Sequence, residues 1–481
     1  MTRPRLAHLL AILALPFTAA AQSTATERQA GAAVLRAIDS LQTRLAPTRT
    51  AERLAAKSDA DRDRVLQRVE QGWKSGGMEA LSDWIGHNPE VGFKELKAVD
   101  TLTKVLRAAG FSVETGVAEL PTAFVATWTS PAGAGGPTLG LIGEYDALRG
   151  TQGAFHGDQH NAQTPVAIAA ARALMDYMTE RRVPGRVKIF GTPAEEVGPP
   201  TKTAMQKAGL FRGTDILVRS HGTGGGTARA RAGFGVCCLN INEVKYVFRG
   251  RPAHQMQSWN GRNALEAAVM FYTAVDRLRS SLRPEASLQG VIPEGGIAPN
   301  VVPDRAVVDY YLRYPDEVYL AHVDSMVTHA AHGAAMATGT QLELVRYGEY
   351  RDGITLGTLE ELTYAYARKL GAPKLREEPE RPAGYEETGY LSRDVPGVGV
   401  SVASSNSANH TYEMTADNFN DLGHTAFLMD AKIMAAVLYH FLTDAAFREA
   451  VRTEHRSMTQ LFDQYLAALR STYQPELGLK D

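Results

Sequence analysis

Short apolar runs of strand length alternate with helical segments through the middle of this chain, and this alternation constrains its fold more than any other feature. An apolar run of about four to eight residues between helices is typical of a strand buried on both faces of a sheet. The predicted strands cover residues 124–128, 138–143, 187–192 and 215–220, and a helix is predicted over 164–177. The sequence therefore predicts an α/β fold with a central mixed sheet covered by helices.

Acidic residues and a histidine follow these predicted strands at the points where the strands end. Glu144 and Asp146 come after the second strand, Glu195 and Glu196 after the third, and His221 after the fourth. In sheets of this kind catalytic groups gather at strand ends. We therefore expect the functional site there.

A compact cluster of His156, Asp158 and His160 lies in the same region of the chain. Imidazole nitrogens and carboxylate oxygens suit divalent zinc, manganese or cobalt, and a further carboxylate can then transfer a proton of water. Surface histidines and Glu-Glu pairs are each common, so neither the cluster nor the Glu195–Glu196 pair is specific alone. Their occurrence together, each after an apolar strand, indicates a metal-hydrolase site.

The pattern changes near residue 239. Alternating strands are predicted over 240–248, 288–292, 305–313 and 341–345, with helices over 263–278 and 317–335. This pattern is typical of a small α+β domain with a half-exposed antiparallel sheet. We assign residues 239–352 to this inserted domain, and residues 77–238 and 353–481 to the larger domain around it.

The beginning of the chain has the features of a secretory signal peptide. Arg3 and Arg5 precede an apolar run at 9–15, and small residues follow, so cleavage is expected after Ala21. We expect export to a bacterial periplasm and no membrane span in the rest of the chain. Residues 22–76 alternate in charge with helical periodicity, which predicts a solvated helical extension without chemistry.

The net charge and the two cysteines of the chain bear on its partners and on its disulfide bonds. The formal net charge of −2 gives no indication of a nucleic-acid or membrane partner. The two cysteines, Cys237 and Cys238, are adjacent and surrounded by apolar residues. Since neighbouring cysteines bridge only with strain, we expect both to be buried as small apolar residues.

The chain resembles the aminoacylase/carboxypeptidase family of dinuclear metallo-amidohydrolases. Within this family it is most similar to the branch of aminobenzoyl-glutamate hydrolases and amino-acid-conjugate amidohydrolases. The resemblance is carried by ordered motifs: NPEVGF at 88–93, GEYDAL at 143–148, HGDQHN at 156–161, PAEE at 193–196, GRPAH at 250–254, PNVVPD at 299–304 and NHT at 409–411.

The resemblance implies a role for individual residues. It makes Asp158, His160, Glu196, His221 and His410 the ligands of two divalent ions, zinc, manganese or cobalt. Glu195 matches the family's general base, and His254 matches a histidine of the lid domain that reaches a substrate oxygen, in relatives across a dimer. Asn300 matches a residue that contacts the substrate carboxylate. His156, Glu144 and Asp146 are expected to orient the ligands, and the inserted domain is expected to act as lid and to form a homodimer or higher oligomer.

The motif at 156–161 departs from that branch, which usually has Cys-Gly where this chain has Asp158 and Gln159. A carboxylate can bridge two divalent ions, so Asp158 is expected to be a competent and harder ligand. Gln159 is expected to add a side chain beside the metals.

The resemblance and the residues together predict a secreted amidohydrolase of a small N-acyl or aminobenzoyl amino acid, or of a dipeptide. Two alternatives stay open. One is a metal-dependent exopeptidase or dipeptidase, and the other is a periplasmic binding module that kept this fold and lost catalysis. The complete set of ligands together with Glu195 argues against the binding module.

Overall fold

A computed structural model describes residues 24–236, 238–377 and 390–478. The signal peptide predicted over residues 1–21 lies outside the described residues, and so does Cys237.

The larger domain is built on a six-stranded sheet with the strand order β1-β2-β6-β3-β7-β12. The neighbours β6, β3, β7 and β12 run parallel to one another, whereas β2 is antiparallel to β6 and β1 to β2. The sheet is therefore mixed, and the predicted α/β fold is confirmed. Its strands are β1 (Ser112–Thr115), β2 (Phe124–Thr129), β3 (Thr138–Gly143), β6 (Arg186–Gly191), β7 (Ile216–Ser220) and β12 (Gly397–Val400); β4 (Leu148–Gly150) and β5 (Gly153–Phe155) form a separate hairpin.

Helices cover the central sheet because it is apolar on both faces; all six residues of β3 are buried. The helices of the larger domain are α1 (Ala25–Leu45), α2 (Pro47–Ala56), α3 (Ala60–Lys74), α4 (Met78–His87), α5 (Leu96–Ala108), α6 (His160–Glu180), α7 (Thr201–Lys207), α10 (Gly357–Leu370), α11 (Tyr412–Asp417), α12 (Asp421–Thr443) and α13 (Ala445–Leu477).

A second, four-stranded antiparallel sheet lies between β7 and α10 in the chain, with the order β11-β8-β10-β9. Its elements are β8 (Asn240–Arg249), α8 (Ala264–Leu278), β9 (Ser287–Glu294), β10 (Arg305–Tyr314), α9 (Glu317–Thr338) and β11 (Gln341–Tyr350). Alternate residues such as Tyr246, Phe248 and Tyr310 are buried on one face, where Phe271 of α8 packs against all three.

Helix α6 begins earlier than the sequence suggests. The pattern predicts its first residue at 164, beside Pro165, but the helix begins at His160 and contains Pro165. The residue before it, Gln159, has a φ of 60° in the left-handed region, which ends the preceding loop abruptly. His160 thereby stands on the first turn of a buried helix.

The prediction of a solvated N-terminal extension is wrong. Helices α1, α2 and α3 pack against α13, α10 and α6, respectively. Val34 and Leu41 of α1, Leu54 of α2 and Trp73 of α3 belong to the main hydrophobic core. Their apolar residues form narrow stripes among many charged ones, so the average composition of this segment hides the faces that pack.

One helix of the described residues is longer and more apolar than the sequence pattern suggested, but it lies inside the fold. Helix α12 has the length and apolar character of a membrane span, and 83% of its apolar window is buried inside the fold. It packs against α6, α3 and α10 as a core helix.

Cys238 is fully buried, as its apolar neighbours suggest, but it is disulfide-bonded. The expectation that it packs as a free small residue is therefore wrong.

Candidate metal centre

The parallel strands bring the predicted site residues to one edge of the central sheet. Glu144 and Asp146 follow β3, Glu195 and Glu196 follow β6, and His221 follows β7 directly. His410 lies in the loop after β12, where its φ is 66°. Because these four strands are parallel, their carboxyl ends lie side by side.

His160 is held between two carboxylates. Its Nδ1 lies 3.1 Å from Oδ1 of Asp146, and its Nε2 lies 3.4 Å from Oε2 of Glu144. All three side chains are almost completely buried. Burial opposes charge on the imidazole, but the bond to Asp146 and the charge of Glu144 outweigh it and raise the pKa of His160 well above its usual value.

Asp158 forms a second group with residues from two other loops. Its Oδ2 lies 2.8 Å from Nε2 of His410 and 3.9 Å from Nε2 of His221, and its Oδ1 accepts a hydrogen bond of 2.6 Å from Asn409. Glu196 Oε2 is 3.6 Å from the same nitrogen of His410. Burial opposes ionisation of Asp158, but the hydrogen bond with His410 and the charges of His221 and His160 lower its pKa below the ordinary value, so the carboxylate is charged.

The orientation of His221 is fixed by the backbone. Its Nδ1 lies 2.9 Å from the carbonyl oxygen of Gly222, which can only accept, so Nδ1 carries the hydrogen. Nε2 is then the basic nitrogen that faces Asp158. Burial lowers the pKa of His221.

The donor atoms form groups of the size that one ion needs. Within each group one ligand atom from every residue lies within 4.8 Å of the others: Glu144, His160 and His221; Asp158, Glu196 and His410; His160, Glu195 and Glu196. The buried Nε2 of His160 makes no hydrogen bond, which fits a nitrogen that binds a cation. The oxygen and nitrogen donors thus fit divalent ions.

The two adjacent glutamates are placed by a strained turn. Ala194 has a φ of 55°, and its backbone N–H donates to Oε1 of buried Glu95 at 2.7 Å, while the N–H of Glu196 donates to Asp146 at 3.0 Å. Burial raises the pKa of Glu196 to about 7. Burial, with the charge of Glu144, raises the pKa of Glu195 well above its usual range.

Sequence reasoning missed Lys202. This lysine of α7 is fully buried, and its Nζ lies 2.6 Å from Oε1 of Glu144. Burial opposes ionisation of Glu144, but Lys202 and His160 outweigh it and hold its pKa well below the usual value. In the sequence, Lys202 is one lysine a few residues after the Glu-Glu pair. A single lysine at such a position is too common to indicate a role.

His156 is fully buried beside this group. Burial lowers the pKa of its imidazole to about 3, so the ring is uncharged. Its expected role in orienting the ligands stays a prediction.

The side chain of Gln159 contacts the loop after β12. Its buried amide donates from Nε2 to the carbonyl oxygen of Ser404 at 3.5 Å, and its Oε1 accepts from the Ser404 hydroxyl. The backbone at Gln159 is left-handed and its side chain contacts the loop after β12; that it also lies beside the metals stays a prediction.

A cleft of about 610 Å³ lies between the ligand loops and the polar face of the second sheet. One wall carries Glu195, Glu196, His221, His410 and Arg219, and the other carries Ile241, Glu243, Tyr311, Arg313 and Tyr350.

His254 and Asn300 are not among the residues that line this cleft. Both are exposed at the far end of the second domain, where His254 bridges to Val301 and the N–H of Gln255 donates to the Asn300 carbonyl at 3.0 Å. The chain therefore brings these two residues near each other but not to its own ligands.

Comparison with known proteins relates the chain to the M20 peptidases. Residues 235–335 match the model of the M20 peptidase dimerisation domain. The chain is 29% identical to a Xaa-Arg dipeptidase of Mus musculus over 84% of this chain and 94% of the relative. It is 26% identical to a p-aminobenzoyl-glutamate hydrolase polypeptide of Escherichia coli K12 over 79% and 92%, respectively. The chain thus carries an M20 peptidase dimerisation domain and is similar over most of its length to enzymes that cleave amide or peptide bonds.

A solved M20 structure has a similar fold over most of this chain. The Bacillus subtilis protein described as a dinuclear metal binding peptidase from the M20 family superposes with a TM-score of 0.55 at 18% identity, covering 77% of this chain and 98% of that one. The similarity to these hydrolases together with the donor groups makes the chain a metal-dependent hydrolase of amide or peptide bonds.

Proposed function

We propose that this protein is an exported dinuclear amidohydrolase that cleaves the amide bond of a small N-acyl or aminobenzoyl amino acid, or of a dipeptide. The observation that carries the proposal is the position of Asp158 between His410 and His221, 2.8 Å and 3.9 Å away. A carboxylate placed between two imidazoles from different loops suits a bridge between two cations. In the proposed centre, His160, Glu196, His221 and His410 complete the ligand set with Asp158.

When bound, two divalent ions would polarise the scissile carbonyl and acidify water. Glu195 then accepts a proton from that water while the water oxygen bonds to the carbonyl carbon. The C–N bond breaks, and the carboxyl group of Glu195 returns the proton to the departing amine. The hydrogen bond between Nδ1 of His160 and Asp146, at 3.1 Å, keeps this ligand in one orientation and leaves Nε2 for an ion.

Two arginines on opposite walls of the cleft support a substrate with a free carboxylate. Arg219 comes from β7 and Arg313 from β10, so a carboxylate between them would contact both domains. A guanidinium matches a carboxylate with paired hydrogen bonds. Closure of the lid over such a substrate would align the amide with Glu195.

Glu243 favours a second candidate, a dipeptidase that prefers a cationic residue. Its side chain is buried in the cleft wall of the second domain. A carboxylate there complements an arginine or lysine side chain, and one relative is a Xaa-Arg dipeptidase.

A substrate panel with the metal-loaded protein tests both candidates. It contains p-aminobenzoyl-glutamate, N-acetyl amino acids, Xaa-Arg dipeptides and Xaa-Glu dipeptides, each with and without chelator. Glu243→Gln should lower kcat/KM for Xaa-Arg alone if the dipeptidase candidate holds, whereas Arg313→Gln should lower it for every carboxylate substrate. Absence of metal-dependent hydrolysis in the whole panel would instead support a binding module.

We further propose export and dimer formation. Export rests on the predicted signal peptide, and amino-terminal sequencing of the protein recovered from a periplasmic fraction should begin at Gln22. Dimer formation rests on the match to a dimerisation domain and on exposed apolar side chains of α8 and β9, such as Met270 and Val291. A monomeric mass in sedimentation experiments would contradict it.

A further inference from the structure

We propose that Gln159 is a positioning residue that ties together three of the four loops that carry the proposed metal ligands. The inference rests on the proposed metal centre. Gln159 stands between the ligands Asp158 and His160, and its side chain is completely buried. Its backbone lies in the left-handed region, with a φ of 60°. Such a conformation is unfavourable for a residue with a side chain, so the contacts of the amide must outweigh the strain.

Ser404 is the partner that receives the amide. The Ser404 hydroxyl donates to Oε1 of Gln159, and Nε2 of Gln159 donates to the Ser404 carbonyl at 3.5 Å. Ser404 lies in the loop that leads from β12 to His410. The amide therefore joins the loop of Asp158 to the loop of His410.

Ser404 also joins the loop that follows His221. The N–H of Thr223 donates to the Ser404 hydroxyl at 3.0 Å, and the N–H of Ser404 donates to the Thr223 carbonyl at 2.9 Å. We call Gln159, Ser404 and Thr223 the loop bracket. It links three separate ligand-bearing loops through buried or partly buried hydrogen bonds that involve none of the donor atoms of the proposed metal ligands.

Gly222 leaves room for the side chain of Gln159 because a glycine has no Cβ atom. A Cβ added at Gly222 would lie 2.4 Å from Oε1 and 2.6 Å from Cβ of Gln159, closer than side-chain carbons approach. The carbonyl of the same glycine accepts from Nδ1 of His221 at 2.9 Å and from Asn409 at 3.1 Å. A shift of Gln159 would thus be transmitted to His221 and Asn409.

If the loop bracket positions the ligands, changing its residues should weaken metal binding even though every ligand is kept. Gln159→Gly relieves the left-handed strain but removes the link, so the dissociation constant for zinc, measured by competition with a chelator, should rise about 10- to 100-fold. Ser404→Ala should weaken zinc binding in the same direction, and the double variant should be no weaker than Gln159→Gly. Arg182→Gly is the matched control, because Arg182 is exposed and has a φ of 53°; its zinc affinity should equal that of the wild type.

The thermal stability of the metal-free protein tests the loop bracket independently of zinc binding. Gly222→Ala should lower Tm in the wild-type background through its clash with Gln159, and should lower Tm much less in the Gln159→Gly background. Equal losses of Tm in both backgrounds, or wild-type zinc affinity in Gln159→Gly, would overturn the inference. A wild-type protein that binds no divalent ion would refute the proposed function, and the rescue by Gln159→Gly would then decide the bracket alone.

Discussion

Glu195 and Glu196 are neighbours in the chain, yet their surroundings differ. The carboxylate of Glu196 lies 3.6 Å from His410, and its backbone N–H donates to Asp146. Glu195 faces the cleft, where burial and the charge of Glu144 favour its protonated form. Cations bound by the surrounding ligands would counter that effect and return the carboxylate to the charged form that accepts a proton.

At the residue scale, Glu195→Gln should keep both metal ions and lower kcat by about two to four orders of magnitude, because the amide cannot accept the proton of water. Metal content is measured by mass spectrometry and kcat on the best substrate of the panel. Glu114→Gln, a change on exposed β1, serves as the control. Full activity in a metal-loaded Glu195→Gln protein would remove Glu195 from its proposed role.

Much of the residue-scale site is predictable because metal ligands recur as recognisable pairs of residue types at strand ends. The motifs point to Asp158, His160, Glu196, His221 and His410, and the fold brings all five together. Lys202 and Ser404 escape prediction, because one lysine or one serine carries no pattern. Their importance comes from burial and from partners far away in sequence, as in the pair of Ser404 with Gln159.

At the scale of elements, hydrophobic pattern predicts β3 well, since its residues form one uninterrupted apolar run between turns. The predicted start of α6 is wrong because the left-handed conformation of Gln159, which sets the start of the helix, depends on tertiary contacts. Burial of α1 escapes prediction for a related reason. Its partner, α13, is at the opposite end of the chain, and local sequence does not show that contact.

Helix α1 carries a prediction about pH. Glu27, buried at its first turn, caps the helix with Thr24, and burial raises the pKa of Glu27 to about 7. A carboxyl whose folded pKa is raised binds a proton more tightly when folded, so its contribution to stability is lost as pH rises from about 4.5 to about 7.

Glu27→Gln should therefore become more stable relative to the wild type as pH rises through that window, by up to about 3 kcal/mol at about pH 8. The amide preserves the capping geometry and does not ionise. The free energy of unfolding from urea titrations at several pH values checks this. A constant difference between the two proteins from about pH 5 to about pH 8 would contradict the shifted pKa.

At the scale of the whole molecule, His254 does not line the cleft of its own chain, so the proposed function predicts that a partner subunit supplies this histidine. His254→Ala should depress kcat and leave metal stoichiometry unchanged. Mixing inactive His254→Ala and Glu195→Gln subunits should restore activity, because one site of each mixed dimer then has both residues intact. Mixtures that exchange subunits and stay inactive would place His254 outside the reaction, and loss of metal in His254→Ala would make it a ligand.

The central claim is a two-ion centre bridged by Asp158, and metal stoichiometry tests it most directly. Native mass spectrometry of the wild type, Asp158→Ala and Asp158→Cys counts the ions in each protein. Removing the carboxylate leaves two cations without the anion between them, so Asp158→Ala should lose at least one ion. Asp158→Cys should restore binding with a shift toward zinc, because a thiolate is a softer ligand. We predict two ions in the wild type and at most one in Asp158→Ala; two ions retained in Asp158→Ala would contradict the account.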